Sequence, residues 1–247
     1  MHLLMTTPDS KRLIGIDLGT TNTVAAFVED GKASTIICES GKRLMPSYAA
    51  IKKKGKFIVG EEALRQQISN PEDTFYSVKR LIGRRSNELS KKDIDIFEYK
   101  ILLSDERPLI QSKILDKGFE ISEISAQVLM GIKTSAESYL GDKIEDCVIT
   151  VPAYFNSNQR TATKQAAEIA GLNVIKLINE PTAAAIAYTR NNIKSGITLV
   201  CDLGGGTFDI SLIKNDNDQK ITQVLASTGD VNLGGNDFTL NLYNFLI

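Results

Sequence analysis

The chain has 247 residues, 42% hydrophobic and 24% charged, and its 29 basic and 30 acidic side chains leave a net charge of -1. This composition fits a soluble globular protein large enough for two lobes with a cleft between them; it excludes extensive disorder and any global field favouring nucleic acid or an anionic membrane. The single histidine, His2, falls in a tail over residues 1–11 expected to be disordered, which also excludes a Ser-His-Asp hydrolase, a Cys-His protease and a His-ligated zinc site.

In chain order, strand signals come first: Leu13–Ile16, Val24–Val28, Ser34–Cys38, Tyr48–Ile51 and Lys56–Val59, punctuated by Gly and Pro and read as an antiparallel meander. The run Lys52-Lys53-Lys54-Gly55-Lys56 reads as a solvated hairpin tip. Helical patterning appears at Glu61–Gln67 and Ser77–Ile82, and between Ile94 and Leu115 only short alternating pieces are legible. Ser122 is then the predicted cap of a helix with Ile124, Val128, Leu129, Ile132 and Leu140 on one face, stopped by Gly141. A strand at Cys147–Val151 feeds a helix capped near Asn156 or Ser157 and ended at Gly171; a strand at Val174–Ile178 feeds another whose first turn holds Glu180 and Pro181. A hairpin, a glycine loop at Gly234-Gly235 and a final helix close the chain, giving a mixed-sheet α/β architecture. Cys38, Cys147 and Cys201 each lie in an apolar run with no Cys-x-x-Cys spacing, as free thiols do in a reducing compartment. No signal peptide and no run of eighteen apolar residues is present, so a cytoplasmic location or an equivalent interior is expected.

Two hairpins carry the chemistry. LIGIDLGTTNTVAAF, Leu13 to Phe27, and LVCDLGGGTFDISLI, Leu199 to Ile213, share one pattern: apolar strand, Asp-Leu-Gly, a turn rich in glycine or hydroxyls, and a second strand. The echo points to a duplicated fold with one copy per lobe. Each turn offers successive unshielded backbone N–H groups, a nest for anionic oxygens. Each also holds an acidic residue, Asp17 or Asp202, that would repel an anion unless a divalent cation stood between carboxylates and phosphates. Competing phosphate motifs fail: the Gly-Lys pairs continue as Gly31-Lys32-Ala33, Gly41-Lys42-Arg43 and Gly55-Lys56-Phe57, none a Walker loop, and Gly204-Gly205-Gly206 continues as a strand where a dinucleotide fingerprint needs a helix.

The segments GIDLGTTNT, KRLIGRR, VITVPAYFN, INEPTAAAIAY, CDLGGGTFDIS and LGGNDF, taken together and in order, resemble the ATPase domain of the DnaK family, the seventy-kilodalton heat-shock chaperones, over nearly the whole chain. The resemblance implies an actin-like, ribonuclease-H-like α/β fold with two lobes and ATP or ADP with Mg²⁺ in the cleft. Residues 12–195 would form lobe I, and 196–247 the start of a lobe II that is truncated here. Carried over by motif, Asp17 and Asp202 would hold Mg²⁺ through its waters, Glu180 would orient metal-bound water, and Asp209 would complete the acidic cluster. Gly19, Thr20, Thr21 and Asn22, with Gly204, Gly205, Gly206 and Thr207, would line the phosphates. Lys79 would reach the γ-phosphate or the attacking water, forming the catalytic set with Asp17, Glu180, Asp202 and Thr207. Pro152 and Arg160 look like the family's relay to a peptide-binding domain. Taken by themselves, Lys79 and Arg80 read as a solvated basic pair, Glu180 as a helix N-terminal acid stabilised by about 0.3–1 kcal/mol, and Arg160 as a surface helix residue.

The implied partners are a J-domain co-chaperone, a nucleotide-exchange factor and a client polypeptide gripped by a C-terminal domain absent here, with no nucleic acid and no membrane. Family members are much longer, so the phosphate end of the site is expected without the complete adenine pocket. SVKRLIGR, the Leu44-Met45-Pro46-Ser47 run and the absence of Trp look like the iron–sulfur-assembly branch, HscA, and the choice between that branch and the general chaperone stays open. Other readings are a sugar kinase of the same actin-like superfamily, a filament-forming actin relative, and a non-hydrolysing interaction module.

Overall fold

A computed structural model describes residues 12–104, 106–191, 195–216 and 221–246. The expectation of a disordered tail over 1–11, with His2, lies outside the described residues. The chain opens with β1 (Leu13–Leu18), β2 (Asn22–Glu29), β3 (Lys32–Thr35), β4 (Met45–Pro46), β5 (Ala49–Ile51) and β6 (Phe57–Val59), followed by α1 (Glu61–Gln66) and β7 (Thr74–Phe75). After α2 (Lys91–Ile94) come β8 (Lys100–Leu103), β9 (Pro108–Ser112) and β10 (Lys117–Glu120), then the long α3 (Ile121–Leu140). Strand and helix next alternate through β11 (Asp146–Val151), α4 (Ser157–Ile169), β12 (Asn173–Asn179) and α5 (Glu180–Asn191). The last part is β13 (Gly196–Leu203), β14 (Phe208–Asp216), β15 (Ile221–Asp230) and α6 (Gly235–Leu246).

The central sheet runs β12-β11-β1-β2-β3, with β4 paired to β2. Strands β1, β11 and β12 are parallel, joined through helical crossovers, while β2 and β3 fold back antiparallel as the hairpin signals require. One face of this sheet is a dry core. Ile14, Ile16 and Leu18 of β1 and Cys147 and Ile149 of β11 meet Leu129, Ile132 and Ala136 of α3, with Ala166 and Ala167 of α4 beside them. The opposite side of β1 turns Gly15 and Asp17 outward, as period-two alternation demands. A second cluster, built on Phe75, Leu81, Ile82, Tyr99 and Ile110, joins α3 to the small sheets β6-β5-β7 and β10-β9-β8. The third three-stranded sheet, β13-β14-β15, is fully antiparallel, and α5 packs on it and on β12.

Several boundaries differ from expectation for physical reasons. The apolar spacing of Val78, Leu81 and Ile82 predicts a helix over Ser77–Ile82, but only one 3-10 turn forms, at Val78–Arg80. Ser77 sits in the left-handed region at φ 53° and Gly83 at φ 68°, so the chain reverses direction at both ends of the turn. The long helix is capped two residues earlier than the Ser122 signal implies: Glu120 is the cap residue, and its N–H donates to the Glu123 carboxylate at 2.7 Å, leaving Ser122 inside the helix. Strand β15 was not anticipated. Asn156 caps α4 as expected, receiving the Gln159 N–H at 3.0 Å. Although all three cysteines lie in apolar runs, Cys38 and Cys147 are buried and Cys201 is exposed. Burial pushes the Cys147 thiol up to about 11. No helix among the described residues is long and apolar enough to cross a membrane.

Candidate active site

The parallel strands β1 and β11 end side by side, and ligands of open α/β sheets gather at such carboxyl ends. Asp17 is the last outward-facing residue of β1, and its carboxylate accepts a hydrogen bond from the Thr150 hydroxyl of β11 at 2.8 Å. Thr150 fixes the orientation of Asp17; nothing in the local sequence singled it out. The loop after Asp17 must turn at once into β2. A Cβ on Gly19 would come 2.1 Å from the Asn22 carbonyl, so only glycine closes this turn. Ser47 braces it from below, its hydroxyl donating to the Gly19 carbonyl at 2.8 Å and its N–H to the Thr21 carbonyl at 2.8 Å.

The second hairpin pairs β13 with β14 in a register that sets Asp202 opposite Asp209. Its glycines answer to packing as well as to any ligand. A Cβ on Gly205 would lie 2.0 Å from the Thr21 hydroxyl oxygen, and one on Gly206 would lie 2.7 Å from the Thr20 methyl and 2.9 Å from Arg80 Nε. The two predicted phosphate loops therefore touch, and side chains at Gly205 and Gly206 would force them apart. A second pair of glycines completes the arrangement, because a Cβ on Gly234 would strike the Gly205 carbonyl carbon at 2.5 Å. From there α6 begins: the Gly235 N–H donates to the Gly204 carbonyl at 2.9 Å and the Asn236 N–H to the Gly205 carbonyl at 3.0 Å.

Both loops border an open cleft of about 540 Å³. Asp17, Gly19, Thr20, Thr21, Asn22, Lys79, Glu180, Asp202, Gly204, Gly205 and Thr207 line it, as does Thr150. Gly206 and Asp209 do not. Gly206 is the packing point beneath Thr20 and Arg80. Asp209 is buried, and its carboxylate accepts from the backbone N–H groups of Ala153 and Tyr154, while Oδ1 has no hydrogen-bond partner. Asp209 is the cross-strand partner of Asp202 and shares its face of the hairpin, and the charges of Asp202 and Lys79 both act on it, while its carboxylate also meets the loop after β11.

Lys79 and Arg80 are not a solvated pair. Lys79 is buried and Arg80 half-buried, and each meets a different carboxylate: Lys79 Nζ lies 2.5 Å from Glu180 Oε1, and Arg80 grips Asp237 through Nη1 at 2.9 Å and Nη2 at 2.5 Å. Arg80 Nη2 also reaches the Gly205 carbonyl at 3.5 Å. Neither Arg80 nor Asp237 stood out in the sequence as part of the site, since a side-chain fork between residues so far apart in the chain leaves no local trace. Arg160 is likewise more than a surface residue. Its guanidinium donates to the Phe155 carbonyl at 3.0 Å and to Asn179 Oδ1 at 2.8 Å, tying the loop after buried Pro152 to the end of β12, next to Glu180.

The cleft is an acidic, partly desolvated site. Burial raises the Glu180 carboxyl above its usual range despite the Lys79 ammonium, with Asp17 and Asp202 adding to the rise. Burial and then the charge of Asp17 raise Asp202, against Lys79. Carboxylates crowded so that Asp17 and Asp202 raise Glu180, and Asp17 raises Asp202, form an oxygen-only donor set that a hard divalent cation would relieve. Among the described residues no three His, Cys, Asp or Glu side chains converge closely enough to ligate an ion directly. Water-mediated holding by Asp17 and Asp202 is the arrangement that fits, with the backbone N–H groups of the touching loops left for anionic oxygens.

The family model described as Hsp70 protein matches residues 13–247. A protein named chaperone protein dnaK from Emiliania huxleyi is 46% identical over 236 residues, 96% of this chain and 37% of that relative's length. Another of the same name from Phaeodactylum tricornutum is 46% identical over 237 residues, 96% of this chain and 38% of its own length. The chain thus spans well under half the length of these curated relatives.

Proposed function

This chain belongs to the Hsp70 family, whose nucleotide-binding domain has the actin-like ATPase fold, and from that premise we propose that it forms the phosphate-holding part of a chaperone ATPase. In this reading residues 12–195 are the first lobe and 196–247 the opening of the second. The observation that carries the reading is one cleft in which Asp17, Asp202 and Lys79 stand between two touching loops of glycine and threonine.

Each residue then has a task. The N–H groups of both loops receive the phosphates, and the Thr20, Thr21 and Thr207 hydroxyls stand near them. Lys79, held by Glu180, offers its ammonium to the charge that develops on the transferred phosphoryl group. Thr150 holds Asp17 in one rotamer. Mg²⁺, when bound, supplies neutralisation of the phosphate oxygens; Asp17 and Asp202 would hold it through water, and Glu180 would orient that water. Water is the nucleophile and a client polypeptide the cargo, so positioning matters more than covalent chemistry.

Pro152 and Arg160 are proposed to report the nucleotide state toward a peptide-binding region. The support is contact: the loop they anchor meets Asp209 through Ala153 and Tyr154, and the Tyr154 hydroxyl donates to the Ser227 carbonyl of β15 at 2.7 Å. A J-domain co-chaperone and an exchange factor are the partners this coupling calls for, in a bacterial-type cytosol or an organelle interior. An iron–sulfur-assembly role rests on SVKRLIGR, the absence of Trp and the Leu44-Met45-Pro46-Ser47 run. That run has a structural occupation of its own, since Met45 packs in the core and Ser47 braces Gly19. Binding of an iron–sulfur scaffold peptide by the parent protein is the test of that branch.

MgATP and MgADP are expected to bind in this cleft, and isothermal titration measures it. Affinity unchanged by Asp17→Asn with Asp202→Asn would overturn the assignment of the cleft.

A further inference from the structure

Away from the cleft, and sharing no lining residue with it, a concavity of about 340 Å³ opens between the 83–87 segment, the turn at 106–107 and one face of α4. Its lining includes Arg84, Arg85 and Arg107, with Asn158, Thr161 and Gln165 projecting from α4. One opposing charge, Glu106, is also present. We propose that this pocket is a second, separate anion site that takes a compact ligand bearing a phosphoryl or carboxylate group.

The walls are fixed before any ligand arrives. Gly83, at φ 68°, lies so close to α4 that a Cβ there would fall 2.4 Å from the Gln159 Cα, which locks the arginine segment against the helix. Arg84 is held in place by Asp93 at 3.5 Å and by donation to the Glu88 carbonyl at 2.5 Å. Arg85 is exposed and enters no ion pair among the described residues, and Arg107 keeps only a 4.0 Å contact with Glu120 at the surface. Two guanidinium forks are thus available, backed by a third and by side-chain amides and a hydroxyl. Guanidinium forks match the planar oxygen pairs of phosphate and carboxylate, whereas a solvated charged surface needs neither the concavity nor convergence from three elements. The volume falls at the lower end of small-ligand pockets, about 300–1,000 Å³, which favours a compact anion over a bulky one.

The test uses the full 247-residue chain with ¹⁵N-resolved amide shifts, which report this pocket and the cleft separately. Pyrophosphate and citrate are titrated against sodium chloride of matched ionic strength. The expected result is a saturable shift at Gly83, Arg85 and Asn158 with at least one of the two anions, weakened about tenfold or more in Arg85→Ala/Arg107→Ala, whose sites are exposed. The same shifts persist in Asp202→Asn, which alters only the cleft. A response to pyrophosphate alone assigns a phosphoryl ligand, and a response to citrate alone a polycarboxylate. No saturable shift, an equal response to chloride, or shifts unchanged in the double variant overturns the proposal. Failure of the cleft assignment would leave these shifts in place, so the two readings fall separately.

Discussion

The two Asp-Leu-Gly hairpins share a sequence pattern and differ in what lies behind them. In β1 every second residue enters the core: Ile14 and Ile16 are 0% and 1% exposed, and Leu18 is 6% exposed. In β13 the corresponding alternation puts Ile197, Leu199 and Leu203 at 65%, 61% and 54% exposure, with Cys201 beside them. Strands α-covered on one side and strands open on that side read alike in sequence, because alternation records which residues share a face and not whether anything covers it. Both aspartates nevertheless face the same cleft, which α3 and α4 do not line.

That contrast can be broken most forcefully by substitution on the two apolar faces. Ile16→Ala should cost about 2–5 kcal/mol by leaving a cavity under α3, while Leu199→Ser should stay within about 0.5 kcal/mol. Urea unfolding followed by far-UV circular dichroism reads both; a large loss for Leu199→Ser would mean that β13 is covered after all. Next in size is the difference between the braces of the two turns. Gly234→Ala drives a methyl into the Gly205 backbone at 2.5 Å and should cost about 1–3 kcal/mol with loss of nucleotide affinity. Ser47→Ala removes the hydroxyl that donates to the Gly19 carbonyl and pairs with the buried Thr23 hydroxyl at 2.9 Å, and should cost about 1–3 kcal/mol. Gly204→Ala, whose new methyl meets nothing closer than 3.5 Å, is the control. The gentlest probe leaves stability untouched: iodoacetamide should alkylate Cys201 first, with Cys147 at least about a hundredfold slower because it is buried and its thiol holds its proton. Equal labelling of the two, read by mass spectrometry of peptides, would erase the distinction between the sheets.

The hairpins, the crossover helices and the two cleft aspartates were legible because local signals carry them: alternation, capping residues and glycines at turns. Strand β15 was not, because Ile221–Asp230 mixes Thr, Gln, Ser and Gly and gains its strand character from pairing with β14. The helix expected at Ser77–Ile82 failed for the opposite reason: apolar spacing was present, but left-handed residues at both ends confine it to one turn. Lys79 could be placed only through the family motif, and Arg80 not at all, since each is defined by a carboxylate supplied from a distant element. The glycine triplet was recognised as a place of close approach; that the neighbour is in part the other loop became visible only once Thr20 and Thr21 were placed beside it.

The junction of the glycine turn with α6 has a mechanical consequence. Two main-chain hydrogen bonds from the start of the helix end on the carbonyls of Gly204 and Gly205, and Arg80 clamps the same corner through Asp237. The glycine turn, the first turn of the helix and the 3-10 turn bearing Arg80 are therefore tied together at one corner, so displacing any one of them would shift the main-chain groups that border the cleft.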